Sequence, residues 1–469
     1  MIINTPFNFN IDFSFWSEIV NQPALSVVRD LFTIIGWPIF SILIFYVAAY
    51  FWEDYRSGKE KVKWQWVVLA IDVPDISIQT PKAVEQIFAH LSGAFEPPNI
   101  VDKYWKGKVQ KYFSFEVVSI EGYIQFLIRT EEEYRDLVEA VIYAQYPEAD
   151  ITEIEDYAEE FTPDNFREKG YKMWGTQFEL VNSEYYPIRT YPLFEHAISQ
   201  KIVDPLSAMI EMMSNLRKGE MLWYQIIIRA TDDTWKEDSD KLAKSLIGIE
   251  EKKSLSFFDQ MMEKVYITFG FMFPGFKPAN GKDSEFPSNV LHMSKGDLET
   301  VHAIEVKSSK TGFKTKMRMI YMGKTGVFSK PRGVSPFVGA LRQYAANNLN
   351  GFKPAKKMTT KSDYLRAEQR TYKKQRKILK QYKSRSIYAG TKSDGYLLNV
   401  EELASLYHFP SIEVSTTSVR TADSKKAPAP MSIPIPEELE DNIEPEKETK
   451  DENTKRESIK VGPPTNLPM

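Results

Sequence analysis

The chain has 469 residues and no cysteine, and 60 Lys and Arg stand against 64 Asp and Glu for a formal net charge of −4. The lack of cysteine excludes disulfide bonds and thiolate metal sites. The length accommodates several domains, and the near-neutral total conceals separate basic and acidic blocks toward the C-terminus.

Residues 31–52 form an apolar run without a charged residue. Since roughly 20 apolar residues span a hydrocarbon core of about 30 Å, this run predicts one transmembrane helix. Arg29 is the single basic residue before the run, whereas Arg56, Lys59, Lys61 and Lys63 follow it. The excess of positive charge after the run predicts that residues 1–30 are a short extracytoplasmic segment. The body is then expected in the cytoplasm, anchored at the inner membrane by a single pass.

Residues 64–155 show a β-α-β-β-α-β order, which predicts a ferredoxin-like domain. Glu121-Gly122 separates two β-rich runs and indicates a hairpin. Thr80-Pro81 provides a cap and a first-turn proline for the first helix. The predicted strands are Trp66–Val73, Tyr112–Ile120, Tyr123–Ile128 and Ala149–Ile154.

Residues 171–350 predict a second α+β domain that carries an insertion near residues 231–292. Its strands and helices follow each other less regularly than in the first domain. A diverged copy of the first domain is an alternative, but the spacing is too irregular to establish a repeat. The expected fold class is therefore α+β, with one N-terminal transmembrane helix.

Beyond Asn350 the composition changes. Between Lys353 and Arg385 there are 13 basic residues and only Asp363 and Glu368 as acids, which predicts an extended basic helix. A short helix capped by Asn399-x-x-Glu402 completes the region 353–415. Residues 416–469 are rich in Pro, Ser, Lys and Glu, and predict a disordered tail whose section from Glu437 to Glu457 is acidic.

The basic block is the main candidate for a binding site. Its cations suit nucleic-acid phosphates, and its tyrosines, Tyr364, Tyr372, Tyr382 and Tyr388, suit base stacking. Anionic lipid is an alternative ligand. The block is also explained by a solvated helix, or by contact with the acidic tail of the same or another subunit. The candidate contact residues are Lys356, Lys357, Arg366, Arg370, Lys373, Lys374, Arg376, Lys377, Lys380, Lys383 and Arg385.

Catalytic motifs are scarce. Met322–Thr325 lacks the first glycine of a phosphate-binding loop, and the five histidines are scattered singly. Asp297, Glu305 and Lys307 loosely match a carboxylate-lysine nuclease motif, a pattern that chance also produces in such sequence. We predict a protein that is not an enzyme and has no cofactor or metal site.

Several segments resemble the N-terminal, membrane-anchored region of HerA/FtsK-superfamily proteins of small-genome bacteria, which are similar to TraD-like type IV coupling proteins. The resemblance covers roughly residues 64–430 and a final proline-rich element. The segments are Val67–Pro74, Thr80–Gly93, Val138–Pro147, Asn348–Pro354, Val400–Pro410, Ser424–Pro430 and Pro463–Pro468.

In those relatives an ATPase domain follows, whereas this sequence ends at Met469. The resemblance therefore implies a non-catalytic adaptor that docks a separate HerA/FtsK-type ATPase in a conjugation- or type IV secretion-like system. The expected partners are the lipid bilayer, that ATPase, DNA and further copies of the chain. A membrane-bound DNA-binding protein acting through residues 353–385 is the alternative function, and a lipid or envelope scaffold is another.

Overall fold

The computed structural model describes residues 2–4, 10–12, 26, 32, 36–74, 79–194, 204–248, 293–392 and 394–410. The chain divides into two compact units. One comprises Met1–Trp64 and Glu96–Gln110, and the other comprises Gln65–Phe95 and Lys111–Met469. The predicted tail, residues 416–469, lies outside the described residues.

In its described residues, the first unit contains a two-stranded antiparallel ribbon and one long helix. Strands β1 (Ile2–Asn4) and β2 (Asn10–Asp12) form the ribbon, and helix α1 spans Trp37–Lys61. A π-helical turn at Asp102–Lys106 lies beside α1, where Trp52 Nε1 donates to the carbonyl oxygen of Tyr104 at 2.8 Å. Most of the predicted segment 1–30 lies outside the described residues.

The predicted transmembrane helix over residues 31–52 is wrong. Helix α1 begins at Trp37, and from Glu53 onward it carries charged residues. Its uncharged part ends at Trp52 and covers about 24 Å at about 1.5 Å per residue, which is shorter than a hydrocarbon core of about 30 Å. Among the described residues, no helix is both long enough and apolar enough to cross a bilayer. The predicted class of single-pass membrane protein is therefore also wrong, whereas the predicted inner-membrane location remains untested.

The second unit begins with four strands and two helices, which we call the first half. Its strands lie in the order β4-β5-β3-β6, with all neighbours antiparallel. Glu121 and Gly122 have φ of 53° and 91°, and they form the two-residue turn between β4 and β5. The elements are β3 (Trp66–Asp72), α2 (Pro81–Leu91), β4 (Phe113–Ile120), β5 (Tyr123–Glu131), α3 (Arg135–Gln145) and β6 (Asp150–Ile154).

The next four strands, the second half, repeat this connectivity. Their order is β10-β7-β9-β8, again antiparallel throughout. Helices α5 and α6 lie in the connection between β8 and β9, of which residues 249–292 are outside the described residues. The elements are β7 (Tyr171–Leu180), α4 (Ser207–Ser214), β8 (Glu220–Ala230), α5 (Thr234–Leu246), α6 (Lys295–Ser308), β9 (Gly312–Lys324), α7 (Lys330–Gly333), α8 (Ser335–Arg342) and β10 (Phe352–Pro354).

The two halves join through β4 and β8, which pair antiparallel from Phe113 opposite Ile228 to Ile120 opposite Met221. Strand β11 (Tyr396–Asn399) pairs with β9 and completes one sheet of nine strands. The fold is therefore mixed α/β with a single antiparallel sheet. Read outward from the β4–β8 pair, both halves have the same strand order, so a pseudo-two-fold axis relates their connectivity.

Side chains alternate between the two faces of the sheet, as the strand period requires. Face A, which includes Leu69 and Phe115, is covered by α2, α3, α4, α8 and α10 (Val400–Leu406). Face B, which includes Val68 and Trp223, is covered by α9 (Ala367–Ser384) and a 3-10 turn at Tyr157–Glu160. The basic helix thus lies on a different face from most other helices.

Helix α10 begins with a capping box. The Asn399 side chain accepts from the Glu402 backbone N–H at 2.8 Å, and the Glu402 carboxylate accepts from the Asn399 N–H at 2.8 Å. Glu402 also forms a fully buried ion pair with Lys307 at 3.0 Å. These contacts fix the C-terminal part of the described chain against face A.

Candidate nucleic-acid interface

Helix α9 has two opposite sides because its apolar and basic residues repeat at helical spacing. Gln375, Ile378, Leu379 and Tyr382 are buried on the side that faces the sheet. They pack with residues of β7, β8 and β9, including Trp223, whose ring centroid is 5.5 Å from that of Tyr382. This buried side orients the helix about its axis and determines which residues face solvent.

The outward side of α9 carries a line of cations, which we call the basic stripe. Its members are spaced three or four residues apart, so they lie on one side of the helix over about 15 Å. All are exposed, and none forms an ion pair among the described residues. The basic stripe consists of Arg370, Lys373, Lys377 and Lys380.

Polar contacts hold α9 firmly on face B. Gln375 Nε2 donates to the Met173 carbonyl oxygen at 2.6 Å, and Lys383 Nζ donates to the Phe161 carbonyl oxygen at 2.9 Å. The hydroxyls of Tyr382 and Tyr157 are hydrogen-bonded at 2.8 Å. The basic stripe is therefore presented by a fixed helix and loses little conformational freedom of the backbone on binding.

Arg385 ends α9 and lies in the core. Its φ is 48°, and its side chain is fully buried. Arg385 Nε donates to Glu116 at 2.7 Å, and Nη1 donates to Asp156 at 2.6 Å. Burial alone would raise the pKa of Glu116, but the charge and hydrogen bonds of Arg385 outweigh it and hold that pKa below its ordinary value. The fold thus gives Arg385 a structural role beneath the helix.

The other candidate residues are distributed over three environments. Lys374 and Lys383 are half-buried, and Lys374 donates to the Lys361 carbonyl oxygen at 2.9 Å. Arg376 is exposed and forms an ion pair with Asp164 at 2.7 Å. The helix starts at Ala367 and not at residue 353, so the remaining candidates precede it. All three are exposed: Lys356, Lys357 and Arg366.

The four tyrosines differ in their availability for stacking. Tyr364 precedes α9 and is 92% exposed. Tyr382 is buried, and Tyr372 and Tyr388 are half-buried, with Arg167 4.3 Å from the Tyr372 ring and Arg229 hydrogen-bonded to the Tyr388 hydroxyl at 3.1 Å. Only Tyr364 of these rings is fully open to a ligand.

Arg167 supports the stripe from a distant part of the sequence. It donates to Gln375 Oε1 at 2.8 Å and lies 4.0 Å from Glu368, the acid within α9. Glu368 lies on the side of the helix away from the stripe. Sequence patterns did not indicate a role for Arg167, because it is about 200 positions away from Gln375 and belongs to no local pattern.

The nuclease-like motif is not assembled. Lys307 is buried against Glu402, whereas Glu305 is exposed on another side of α6. Within the described ranges, no three His, Asp or Glu side chains are grouped closely enough to hold a metal ion. The predicted absence of catalysis and of cofactors is untested by this arrangement and stays a prediction.

The fold and this surface define a mixed α/β protein that presents a rigid basic helix on one face of an antiparallel sheet. Residues 99–422 match the family model of a domain of unknown function, DUF8128. Because the match covers more than half of the sequence, the chain belongs to that family. No curated protein matches the sequence significantly. The family description states no activity, so the resemblance to HerA/FtsK-type proteins stays a prediction.

Proposed function

We propose that this protein binds nucleic acid through the basic stripe of α9. The observation that carries this proposal is the arrangement of four exposed cations along one side of a helix whose other side is buried in the core. Phosphates of a nucleic-acid backbone match such a row of charges, and neutralising them releases bound counterions.

The contacts expected are with the phosphate backbone. The stripe contains one arginine and three lysines, and lysine is a flexible point charge that attracts phosphate without reading a base. Arg366 and Tyr364 lie just before the helix and extend the surface with a guanidinium and an exposed ring. Binding is therefore expected to depend weakly on sequence and to tolerate single-stranded nucleic acid.

The test is fluorescence anisotropy of a labelled DNA duplex with the full chain between 50 and 300 mM NaCl. Four neutralised phosphates predict a slope of log K against log salt of about −3.6. Replacing Lys373, Lys377 and Lys380 by Glu should weaken binding at 100 mM NaCl by about 100-fold or more, since attraction becomes repulsion.

A matched control changes the same charge elsewhere. Lys82, Lys218 and Lys330 are also exposed, and their replacement by Glu alters the net charge equally. The control should bind DNA nearly as well as the unchanged protein, and circular dichroism should show all three proteins folded. An equal loss of DNA affinity in both variants would show that the effect comes from net charge alone. Undiminished binding in the stripe variant would show that the stripe is not the binding site.

An alternative hypothesis from the sequence is that the acidic block from Glu437 to Glu457 competes with nucleic acid for the stripe. This hypothesis predicts that replacing Glu437, Glu438 and Glu440 by Gln in the full chain strengthens DNA binding. Docking of a separate HerA/FtsK-type ATPase stays a prediction from the sequence resemblance. Co-purification of the two proteins tests it independently of the stripe.

A further inference from the structure

An open cleft of about 1080 Å³ lies on face B of the first half. Its volume is in the range of clefts that hold small organic molecules. Strands β3, β5 and β6 and the turn that follows β6 line it. The lining residues on which the ligand class depends are Trp66, Val68, Arg129, Ile154, Glu155 and Glu159.

Arg129 is the cationic residue of this lining. Its guanidinium carbon is 3.9 Å from the centre of the Trp66 ring, so the two planar groups are in contact. Its Nη1 atom is buried and makes no hydrogen bond with the part of the chain that the structure describes. No carboxylate of the described residues forms an ion pair with Arg129. A buried guanidinium nitrogen normally has a hydrogen-bond acceptor, because its desolvation is otherwise uncompensated.

The two acids whose charge acts on Arg129, Glu116 and Asp156, are already hydrogen-bonded to another cation. Glu116 and Asp156 both accept hydrogen bonds from Arg385, at 2.7 and 2.6 Å. Glu116 accepts further hydrogen bonds from Ser114 and Tyr157, at 2.6 and 2.7 Å. Glu116 and Asp156 also attract Arg129 electrostatically, but neither forms an ion pair or a hydrogen bond with it among the described residues.

The electrostatic environment agrees with this geometry. Burial is the largest cause that lowers the pKa of Arg129, and the positive charge of Arg385 lowers it further, to about 10. Burial likewise lowers the pKa of the fully buried Arg318 to about 10, but Arg318 donates three hydrogen bonds, to Gln225 and to the carbonyl oxygens of Ser386 and Ala389. An incoming anion would supply the acceptor that Arg129 lacks within the described protein.

The rest of the lining restricts the kind of anion. Five carboxylates line the cleft. Glu155, Glu159 and Glu160 are exposed, whereas Glu153 accepts from Arg135 at 2.5 Å and Asp156 accepts from Arg385. These carboxylates repel a polyanion. Trp66, Val68 and Ile154 offer apolar contact to the body of a ligand. A planar guanidinium pairs with a single carboxylate through two parallel hydrogen bonds.

We propose that this cleft binds an organic monocarboxylate, with its carboxylate on Arg129 and its apolar body against Trp66 and Val68. The carboxylate belongs either to a small acid or to the C-terminus of a peptide. The site is separate from the basic stripe, so this proposal does not depend on nucleic-acid binding.

The first experiment measures binding of benzoate to the full chain by calorimetry and by the shift of its melting temperature. Benzamide, a neutral molecule of the same shape, is the matched ligand control. Benzoate should raise the melting temperature of the unchanged protein, benzamide should not, and Arg129→Gln should bind benzoate about tenfold more weakly or worse. No shift with 50 mM benzoate, or an equal shift in the Arg129→Gln variant, would overturn the proposal.

A second variant covers the case in which Arg129→Gln fails to fold. Arg129→Lys keeps the charge but loses the paired hydrogen bonds, so it should bind benzoate more weakly while remaining folded. Undiminished binding by a folded Arg129→Lys protein counts against the bidentate contact. Binding that persists in the triple Glu variant of the basic stripe supports a separate site, and its loss there contradicts one.

The two sources of the carboxylate are separated with a short peptide. Acetyl-Lys-Lys-Phe with a free C-terminus is compared with the same peptide amidated, since lysines are attracted by Glu155 and Glu159. Tighter binding of the free acid than of benzoate supports a peptide terminus. Binding weaker than that of benzoate supports a small acid.

Discussion

The two halves of the sheet have the same strand order, yet their B faces are covered differently. Helix α9 lies over β7 and its neighbours in the second half, where Ile378 and Leu379 pack into the core. In the first half, the turn at Tyr157–Glu160 covers part of face B and leaves a cleft beside β3 and β6. Shared connectivity therefore accommodates two different surfaces, a convex basic helix and a concave cleft.

The halves also differ in the connection between their two central strands. A two-residue turn joins β4 to β5, whereas residues 231–311 join β8 to β9, and the described part of this connection contains two helices. Since β8 and β9 still pair over 11 residues, the pairing does not require a tight turn. The strand order is the shared framework, and the connections are where the halves have diverged.

The largest expected effect comes from removing the buried charge of Arg385, which connects the end of α9 to the first half. Replacing Arg385 by Met leaves Glu116 and Asp156 buried without their cation and should cost about 3–5 kcal/mol of unfolding free energy. Urea denaturation measures it. Arg366 has a similar left-handed backbone, with φ of 53°, but is exposed. Arg366→Met should therefore change stability by less than about 0.5 kcal/mol, and equal losses in both variants would contradict a role for the buried charge.

A smaller effect is expected at the turn that distinguishes the first half. Gly122 has a φ of 91°, and a Cβ there would lie 2.6 Å from the carbonyl oxygen of Ser214. Gly122→Ala should destabilise the protein by about 2 kcal/mol, measured by thermal and urea unfolding. Gly93→Ala is the matched control, because a Cβ at Gly93 meets no atom within 4 Å. A neutral Gly122→Ala would show that the turn is as adaptable as the longer connection of the second half.

The smallest expected effect is the pH dependence of the unfolding free energy that comes from protonation of Glu116, the partner of Arg385. The pKa of Glu116 is lowered in the folded protein, because Arg385 outweighs the burial that would raise it. A lowered carboxyl pKa stabilises the fold above the unfolded value of about 4.5, and this contribution is lost as the pH falls below it. Unfolding free energy measured from pH 7 to pH 3 should fall. The fall should be shallower in Glu116→Gln, and an identical pH profile would exclude Glu116 as its source.

Local patterns in the sequence predicted the elements of the first half well. The apolar run from Trp66 corresponds to β3, Glu121-Gly122 forms the turn, and Asn399 and Glu402 form the capping box. Each of these signals is carried by residues close together in the chain. Their physical basis is strand burial, positive φ or a helix cap, so no distant contact was needed to recognise them.

Distant contacts account for what the sequence did not reveal. Pairing of β4 with β8, about 100 residues apart, merges what sequence patterns presented as two domains. Arg385 belongs to the basic block in sequence, but in the fold it is buried and forms ion pairs with Glu116 and Asp156. Arg129 is a single arginine in a strand, and only the fold places it beside Trp66 and the cleft. The transmembrane-helix prediction was wrong because an apolar run alone does not determine where a helix begins.

The β4–β8 pair also bears on resistance to aggregation. If each half were a separate sheet, β4 and β8 would both be long apolar edges able to pair with other chains. Their mutual pairing removes both edges, and β6 and β10 end the main strand order. Strand β6 has five residues with charged Asp150 and Glu153, and β10 has three residues and ends in Pro354. Short, charged or proline-containing borders disfavour edge-to-edge growth, so the join that unites the halves also protects the protein from polymerising through its sheet.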